Sequence, residues 1–218
     1  MSPEYLGQLA SSLSGGLQYT VGLFFITIIL SMPLGLMFTF LRISKNRVIR
    51  GITGGYVWLM RGTPLLLQLF FFCYGITAIP GIGRYLVMGR FESACVAFVL
   101  NYAAYFCEIF RGGILSVDQG QYEAAKVLGF SKWKTTRLIV IPQMLKVSLP
   151  AISNEAITLV KDTALITAIG VTEVLYFAKA AVNRDVNAMA YLVAAAFYLI
   201  MTYGLTVLFR WLEKKYHY

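Results

Sequence analysis

The sequence has 218 residues, of which 58% are hydrophobic and 13% are charged. Soluble domains hold about 45–50% apolar and about 25% charged residues, and a soluble globule of this length could not bury so much apolar surface. The same composition excludes intrinsic disorder. The formal net charge of +9 does not indicate nucleic-acid binding, because the basic residues bracket long uncharged runs and do not form one basic face. The composition therefore predicts an integral membrane protein.

Five stretches of the chain are predicted to cross the membrane as helices. Leu17 to Leu41, Gly62 to Gly83 and Val186 to Phe209 contain no charged residue. Each is long enough for a hydrocarbon core, which takes about 20 apolar residues to span. Glu92 to Arg111 and Leu138 to Val160 are the two remaining crossings, and polar residues or prolines interrupt both of them.

Two other segments are assigned by their length and charge. Thr163 to Ala178 is apolar but has only 16 residues and contains Glu173. We expect a short or re-entrant helix there, and a sixth span stays open. Residues 1–16 carry one charge, Glu4, and are expected to form an external interfacial segment ahead of a single transmembrane permease domain, residues 17–218.

The distribution of Lys and Arg predicts the orientation of these spans. Fourteen of the 19 basic residues lie between spans one and two, between or at the ends of spans three and four, or after span five. Basic residues concentrate on the cytoplasmic side of membrane proteins. The sequence therefore predicts an all-α, multi-pass fold of about five transmembrane helices, with an external N-terminus and a cytoplasmic C-terminus.

The cytoplasmic stretch between spans three and four carries the most specific local pattern. Glu123-Ala124-Ala125 begins a short helical turn, and Gly129 is well placed as its C′ residue in the left-handed conformation. Ser131 is suited to cap the following helix. Local pattern alone also fits an ordinary connector. Two alanines followed by a glycine, however, leave a surface that another protein can approach closely.

The spacing of this stretch resembles the signature loop of ABC-importer permeases. In that loop Glu123-Ala124-Ala125 is followed by three residues, Gly129, nine residues and Ile139-Val140-Ile141-Pro142, with Ile141 at the usual place of a leucine. Ala164 stands where members often have serine. Four further stretches look like motifs of the polar amino acid branch of the family: Arg61-Gly62-Thr63-Pro64, Arg111-Gly112-Gly113-Ile114, Gly120-Gln121 and Lys161-Asp162-Thr163. The resemblance runs from about Gly16 to the C-terminal end.

This resemblance implies a transmembrane subunit of an ATP-driven importer for polar amino acids in a prokaryotic inner membrane, working by alternating access. It implies that Glu123, Ala124, Ala125 and Gly129 form a coupling helix that docks in a cleft of a cytoplasmic ATPase subunit. ATP and Mg are expected on that partner, because the sequence contains no Gly-Lys dipeptide and so no Walker A loop. A second permease copy, in a homodimer or a heterodimer, and an extracytoplasmic amino acid-binding protein complete the implied assembly.

Polar residues on two helix faces inside the spans indicate a substrate pathway. One face carries residues at i, i+4 and i+7 and the other at i, i+3 and i+7. The first face consists of Asn101, Tyr105 and Glu108, and the second consists of Glu155, Thr158 and Asp162. Ionisable groups in lipid normally face a cavity or a partner, and transporters place substrate near polar, broken helices.

We predict that Asn101, Glu108, Glu155 and Asp162 bind the substrate. Glu108 and Asp162 fall in stretches that resemble family motifs, so Glu155 is the main reason to favour a cationic amino acid such as arginine, lysine or histidine. Other roles stay open. Glu108 is also placed for an i,i+3 ion pair, and Asn101 is also suited to an interhelical hydrogen bond.

Two other function classes fit less well. An ATPase-independent secondary transporter or channel for small polar solutes explains the polar faces but leaves the signature loop without a purpose. An enzyme would need a nucleophile and a base, and the spans contain no credible pair of that kind. Cys73, Cys95 and Cys107 lack metal-site spacing and His217, the single histidine, is next to the C-terminal residue, so no metal or cofactor site is predicted.

Overall fold

The computed structural model describes residues 3–81 and 83–216, which form helices and connecting turns with no β-strand among them. The all-α prediction is confirmed. The predicted segments 1–16 and 17–218 include positions 1, 2, 217 and 218, which lie outside the described residues. His217 is one of these positions. In chain order the helices are α1 (Pro3–Ser14), α2 (Leu17–Arg42), α3 (Arg47–Gly62), α4 (Leu65–Phe70), α5 (Arg90–Leu115), α6 (Gln119–Val127), α7 (Lys132–Thr135), α8 (Ile141–Asp162), α9 (Val174–Asp185) and α10 (Met189–Tyr216).

Shorter helical segments extend several of these helices. A π-helical turn, Phe71–Gly75, and a 3₁₀ turn, Ile76–Ala78, prolong α4, and a separate 3₁₀ turn covers Gly83–Tyr85. A π-helical turn, Thr136–Val140, joins α7 to α8, and a 3₁₀ segment, Thr163–Ile169, continues α8.

Three to five segments of the described chain could cross a membrane by their length and apolar composition. Pro3–Arg42, Arg90–Leu115 and Met189–Tyr216 qualify singly. Arg47–Gly62 with Leu65–Ala78, and Lys132–Ile169 with Val174–Asp185, qualify as pairs that are bent by 105° and 55°. The predicted five spans match the upper count. The orientation of the chain stays a prediction.

Helix α5 is the centre of the molecule. Its aromatic side chains Phe98, Tyr102, Phe106 and Phe110 are almost fully buried in the main hydrophobic core, between α2 and α8. The Thr39 hydroxyl of α2 donates to the backbone carbonyl of residue 107 in α5 at 3.0 Å. Small and hydroxylated residues allow helices in a membrane to approach closely and to bond across the interface.

The predicted second span was wrong in its limits. No single helix covers Gly62 to Gly83; α3 ends at Gly62 and α4 begins at Leu65 in a sharply different direction. Thr63 and Pro64 between them are extended, with ψ of 146° and 132°. A residue before proline disfavours the helical region, and proline has no N–H to continue the helix, so the chain breaks here.

The stretch Thr163 to Ala178, expected as a short or re-entrant helix, is not one continuous helix, and its path through the membrane stays a prediction. The segment divides at Gly170, which has a φ of +77° that residues with a Cβ rarely adopt. The Arg90 side chain also lies against Gly170, 2.6 Å from where a Cβ would be. By contrast, Leu138 to Val160 is not interrupted at its prolines. Pro142 lies in the first turn of α8, where a missing N–H is tolerated, and Pro150 lies inside the helix.

The N-terminal segment packs against the rest of the molecule. Leu9 and Leu13 of α1 are buried against Val174 and Ala178 of α9 and Ala190 of α10. Helix α1 passes into α2 through one turn at residues 15 and 16. Its side chains therefore contribute to a second core, and its external position stays a prediction.

Candidate substrate cavity and coupling helix

A cavity of about 420 Å³ opens beside the break between α3 and α4. Its walls are the break itself, the middle of α5 and the second half of α8. Its volume falls within the roughly 300–1,000 Å³ of small-molecule sites. The lining residues are Arg61, Gly62, Thr63, Pro64, Leu65, Asn101, Tyr102, Tyr105, Glu155, Thr158 and Asp162.

Two buried amides hold the break in place. The Gln68 side chain donates from Nε2 to the backbone carbonyl of Met60 at 2.9 Å and to the Thr63 hydroxyl at 2.7 Å. Asn101 donates from Nδ2 to the same Met60 carbonyl at 3.0 Å and to Gln68 Oε1 at 2.9 Å. The interhelical role that stayed open for Asn101 is therefore observed.

Two carboxylates of α8 face the cavity seven residues apart. Asp162 accepts a hydrogen bond from the buried Tyr102 hydroxyl at 2.7 Å. Glu155 is half-buried, and it has no hydrogen bond or ion pair within residues 3–81 and 83–216. An ionised carboxylate without a partner is costly away from bulk water, so Glu155 is chemically open to a cation or a donor.

One cation lines the same cavity. The guanidinium carbon of Arg61 lies 5.3 Å from the centre of the Tyr105 ring, within the range of a cation–π interaction. Arg61 is the residue that immediately precedes the break, and it attracts the Glu155 carboxylate electrostatically. The cavity thus combines one positive and two negative side chains.

The structure separates Glu108 from the other predicted binding residues. Its carboxylate accepts from Arg111 Nη2 at 2.7 Å and lies 3.8 Å from Arg42 Nε. It is not among the residues that line the cavity. The ion pair with Arg111, one of the roles left open for Glu108, is therefore present. Glu108 lies one helical turn beyond Tyr105 on α5.

Asn101, Glu155 and Asp162 thus share one cavity, as their helix faces predicted. The two predicted helix faces did not include Arg61 and Tyr102, which also line the cavity. Arg61 stood inside a motif-like stretch and was the one cation there, which was a usable signal. Tyr102 gave none, because it lies off the i, i+4 and i+7 face of α5 and only the packing of α5 against α8 brings it to Asp162.

The predicted coupling segment folds as expected. The Asp118 side chain caps α6 by accepting from the Gly120 N–H at 2.8 Å. Gly129 has a φ of +71°, and its N–H and that of Phe130 donate to the carbonyls of Lys126 and Ala125 at 3.0 and 2.9 Å. This is the Schellman arrangement of a helix C-terminus. The Ser131 hydroxyl then caps α7 by accepting from the Lys134 N–H at 3.3 Å.

The four predicted coupling residues do not all face outward. Glu123, Ala124 and Gly129 are exposed, but Ala125 is buried against its own chain. Burial also raises the pKa of the neighbouring Tyr122 phenol. Two apolar residues that the pattern did not single out, Val127 and Leu128, are 87% and 71% exposed at the end of α6.

Other sites are scarce in the described part of the chain. No group of three His, Cys, Asp or Glu residues there is close enough to hold a metal ion. Two further cavities of about 270 Å³ are lined almost wholly by apolar side chains, one between α2 and α10 and one on α5 near Leu30. They lack the convergent polar groups that orient a small polar ligand.

The comparison with known proteins decides the family. The family of inner membrane components of binding-protein-dependent transport systems matches residues 31–218. The chain belongs to this family. Its predicted resemblance to ABC-importer permeases and its predicted place in a prokaryotic inner membrane are confirmed.

Two relatives of this inner membrane component align with it over most of their own lengths. The L-cystine transport system permease protein TcyB of Bacillus subtilis is 38% identical over 205 residues, which cover 93% of this chain and 86% of that protein. The histidine/lysine/arginine/ornithine transport system permease protein HisM of Escherichia coli is 36% identical over 211 residues, covering 92% and 87%. A chain in the crystal structure of an amino acid ABC transporter with histidines superimposes with a TM-score of 0.87 at 29% identity, covering 99% of both chains.

Proposed function

We propose that the cavity of this permease subunit of an amino acid ABC importer passes cationic amino acids such as arginine, lysine and histidine. The observation that carries the proposal is the charge of the cavity. Arg61 supplies one positive charge, and Glu155 and Asp162 supply two negative charges. A dibasic amino acid carries the complementary set, with one carboxylate and two cationic groups.

The state of the two carboxylates supports a cationic side chain. Asp162 already accepts from Tyr102, whereas Glu155 is without a partner in the described chain. A charge-assisted hydrogen bond from a substrate cation would satisfy Glu155. The Tyr105 ring, which the Arg61 guanidinium approaches, adds a face that attracts cations.

The names of the relatives support amino acid transport but do not indicate which side chain the substrate carries. HisM is named for cationic amino acids and TcyB for L-cystine, at nearly equal identity to this chain. The preference for a cationic substrate therefore rests on the cavity, and mainly on Glu155.

The assembly we propose includes cytoplasmic ATPase subunits, an extracytoplasmic amino acid-binding protein and a second permease copy, as a homodimer or a heterodimer. The exposed face of α6, with Glu123, Ala124, Val127 and Leu128, supports docking of an ATPase subunit beside Gly129. In this arrangement α6 lies on the cytoplasmic side and the N-terminus outside, and closure of the ATPase pair moves the helices around the cavity. ATP hydrolysis belongs to the partner.

Competition binding tests the proposed substrate class. The purified transporter complex is loaded with labelled arginine, and arginine, lysine, histidine, glutamine and glutamate are used as competitors, in the wild type and in Glu155→Gln. We expect arginine to bind at least about tenfold more tightly than glutamine, a loss of about that size in Glu155→Gln, and no change for glutamine. Equal binding of arginine and glutamine, unaffected by the substitution, would overturn the cationic preference.

A further inference from the structure

We propose that Gln68 is a positioning residue for substrate binding, because its carboxamide fixes the extended stretch between α3 and α4 and with it the place of Arg61 in the cavity. This inference rests on the proposed function. Gln68 does not line the cavity. It acts through the backbone on either side of Arg61 and Gly62.

The break leaves backbone carbonyls without their helical partners. In a continuous helix the Met60 carbonyl would accept from the N–H of residue 64, but Pro64 has none. The Thr63 carbonyl likewise loses its partner, since the Leu67 N–H donates to the Pro64 carbonyl at 3.0 Å. A carbonyl that loses its helical partner must find another donor, in the protein or in water.

The Gln68 side chain supplies the missing donor. The two hydrogens of its Nε2 are shared among three acceptors, the Met60 carbonyl at 2.9 Å, the Thr63 hydroxyl at 2.7 Å and the Thr63 carbonyl at 3.2 Å. The Thr63 hydroxyl in turn donates to the Leu59 carbonyl at 2.8 Å. One buried carboxamide therefore ties together the last turn of α3 and the first extended residue after it.

Asn101 fixes the orientation of that carboxamide and ties it to α5. Both hydrogens of its Nδ2 are used, one on Gln68 Oε1 at 2.9 Å and one on the Met60 carbonyl. With its oxygen so engaged, Gln68 presents its nitrogen to the carbonyls of the break. Arg61 and Gly62 lie between Met60 and Thr63, so the backbone from which the Arg61 side chain reaches the Tyr105 ring is held in place.

The test compares substrate affinity with transport rate. Gln68→Met keeps the size of the side chain and removes its polar atoms, and Gln68→Glu keeps an acceptor oxygen for Asn101 but loses the donor. Thr202→Val is the matched control, because it removes a side-chain bond to a backbone carbonyl (Thr202 to Tyr198, 2.8 Å) in α10, away from the cavity. Glu155→Gln reports on the proposed function itself.

We expect Gln68→Met to raise the Kd for arginine about tenfold in the purified complex, with the maximal ATP-driven transport rate per folded complex within about twofold of wild type. Thr202→Val should change neither. If Gln68→Met does not fold, Gln68→Glu takes its place. Its Kd for arginine should likewise rise about tenfold over wild type, because the glutamate carboxylate has no hydrogen to donate to the Met60 carbonyl.

An unchanged Kd in the folded Gln68 variants, with or without a lower rate, overturns the inference and leaves Gln68 as interhelical packing. If Glu155→Gln also leaves arginine binding unchanged, the proposed function fails and the inference fails with it. If Glu155→Gln weakens arginine binding while the Gln68 variants bind like wild type, only the inference is overturned.

Discussion

Two glutamates of this chain, Glu173 and Glu155, occupy opposite environments. Glu173 is fully buried at the start of α9, beside the break after Ile169. It accepts from the Tyr176 N–H at 2.8 Å, from the Tyr198 hydroxyl at 2.6 Å and from the Thr167 hydroxyl. Glu155 lies in the cavity beside the break after α3, and no hydrogen bond or ion pair within the described residues satisfies it.

Under the proposed function, the difference separates a carboxylate that supports the fold from one that binds substrate. A buried carboxylate that three donors satisfy holds the helices around it in one arrangement. A carboxylate without a donor adds nothing to that arrangement and keeps its interaction for a ligand. Substitutions at the two sites should therefore change different properties, stability at Glu173 and affinity at Glu155.

Glu173→Ala should have the largest effect on stability. It leaves the hydroxyls of Thr167 and Tyr198 and the N–H of Tyr176 without their acceptor, and each buried donor left unpaired costs about 1–3 kcal/mol. We expect a loss of about 3 kcal/mol, measured by unfolding of the purified complex in detergent. Equal unfolding of Glu173→Ala and the wild type would remove the structural half of the comparison.

Gly16→Ala should destabilise the same region through backbone contact. A Cβ at Gly16 would lie 2.4 Å from the carbonyl carbon of Glu173 and 2.4 Å from the nitrogen of Val174, so the turn between α1 and α2 could not rest on the start of α9. We expect a loss of about 2 kcal/mol. The matched control is Gly7→Ala, where no atom lies within 4 Å of the added methyl. A difference between the two variants below the experimental error would contradict this packing.

Gly129→Ala should reduce stability less than Glu173→Ala and Gly16→Ala do. It should leave the surroundings of Glu155 and Glu173 unchanged. The left-handed conformation costs a residue with a Cβ about 1 kcal/mol, confined to the end of α6. We expect ATP-driven transport to fall while arginine affinity stays at the wild-type value. A loss of arginine affinity would show that the coupling helix and the cavity cannot be altered separately.

Glu155→Gln should have the smallest effect on stability. Its carboxylate makes no bond to lose, so the free energy of unfolding should stay within about 0.5 kcal/mol of the wild type. The unfolding experiment used for Glu173→Ala measures it. A loss comparable to that of Glu173→Ala would mean that Glu155 supports the fold.

Patterns confined to one helix could be predicted from the sequence. The extent of α5, the turn at Gly129 and the shared cavity of Asn101, Glu155 and Asp162 follow from apolar length, glycine chemistry and helical spacing. Features that depend on contacts between distant segments could not. Pro64 accounts for the break at residues 62–64, but the donors that satisfy the carbonyls of the break come from Gln68 and Asn101, 33 residues apart. The sequence likewise could not distinguish Glu173, which accepts a hydrogen bond from Tyr198 on α10, from Glu155, which has no hydrogen-bond partner among the described residues.

The ratio of arginine to citrulline affinity in the purified complex tests the proposed role of Glu155 most directly. Citrulline has nearly the shape of arginine without its charge, so the ratio isolates what the cavity does with a side-chain cation. We predict that the wild type binds arginine at least about tenfold more tightly and that the ratio falls close to one in Glu155→Gln. The same ratio in both proteins would contradict the claim that the unpaired Glu155 is the group that receives the substrate's cation.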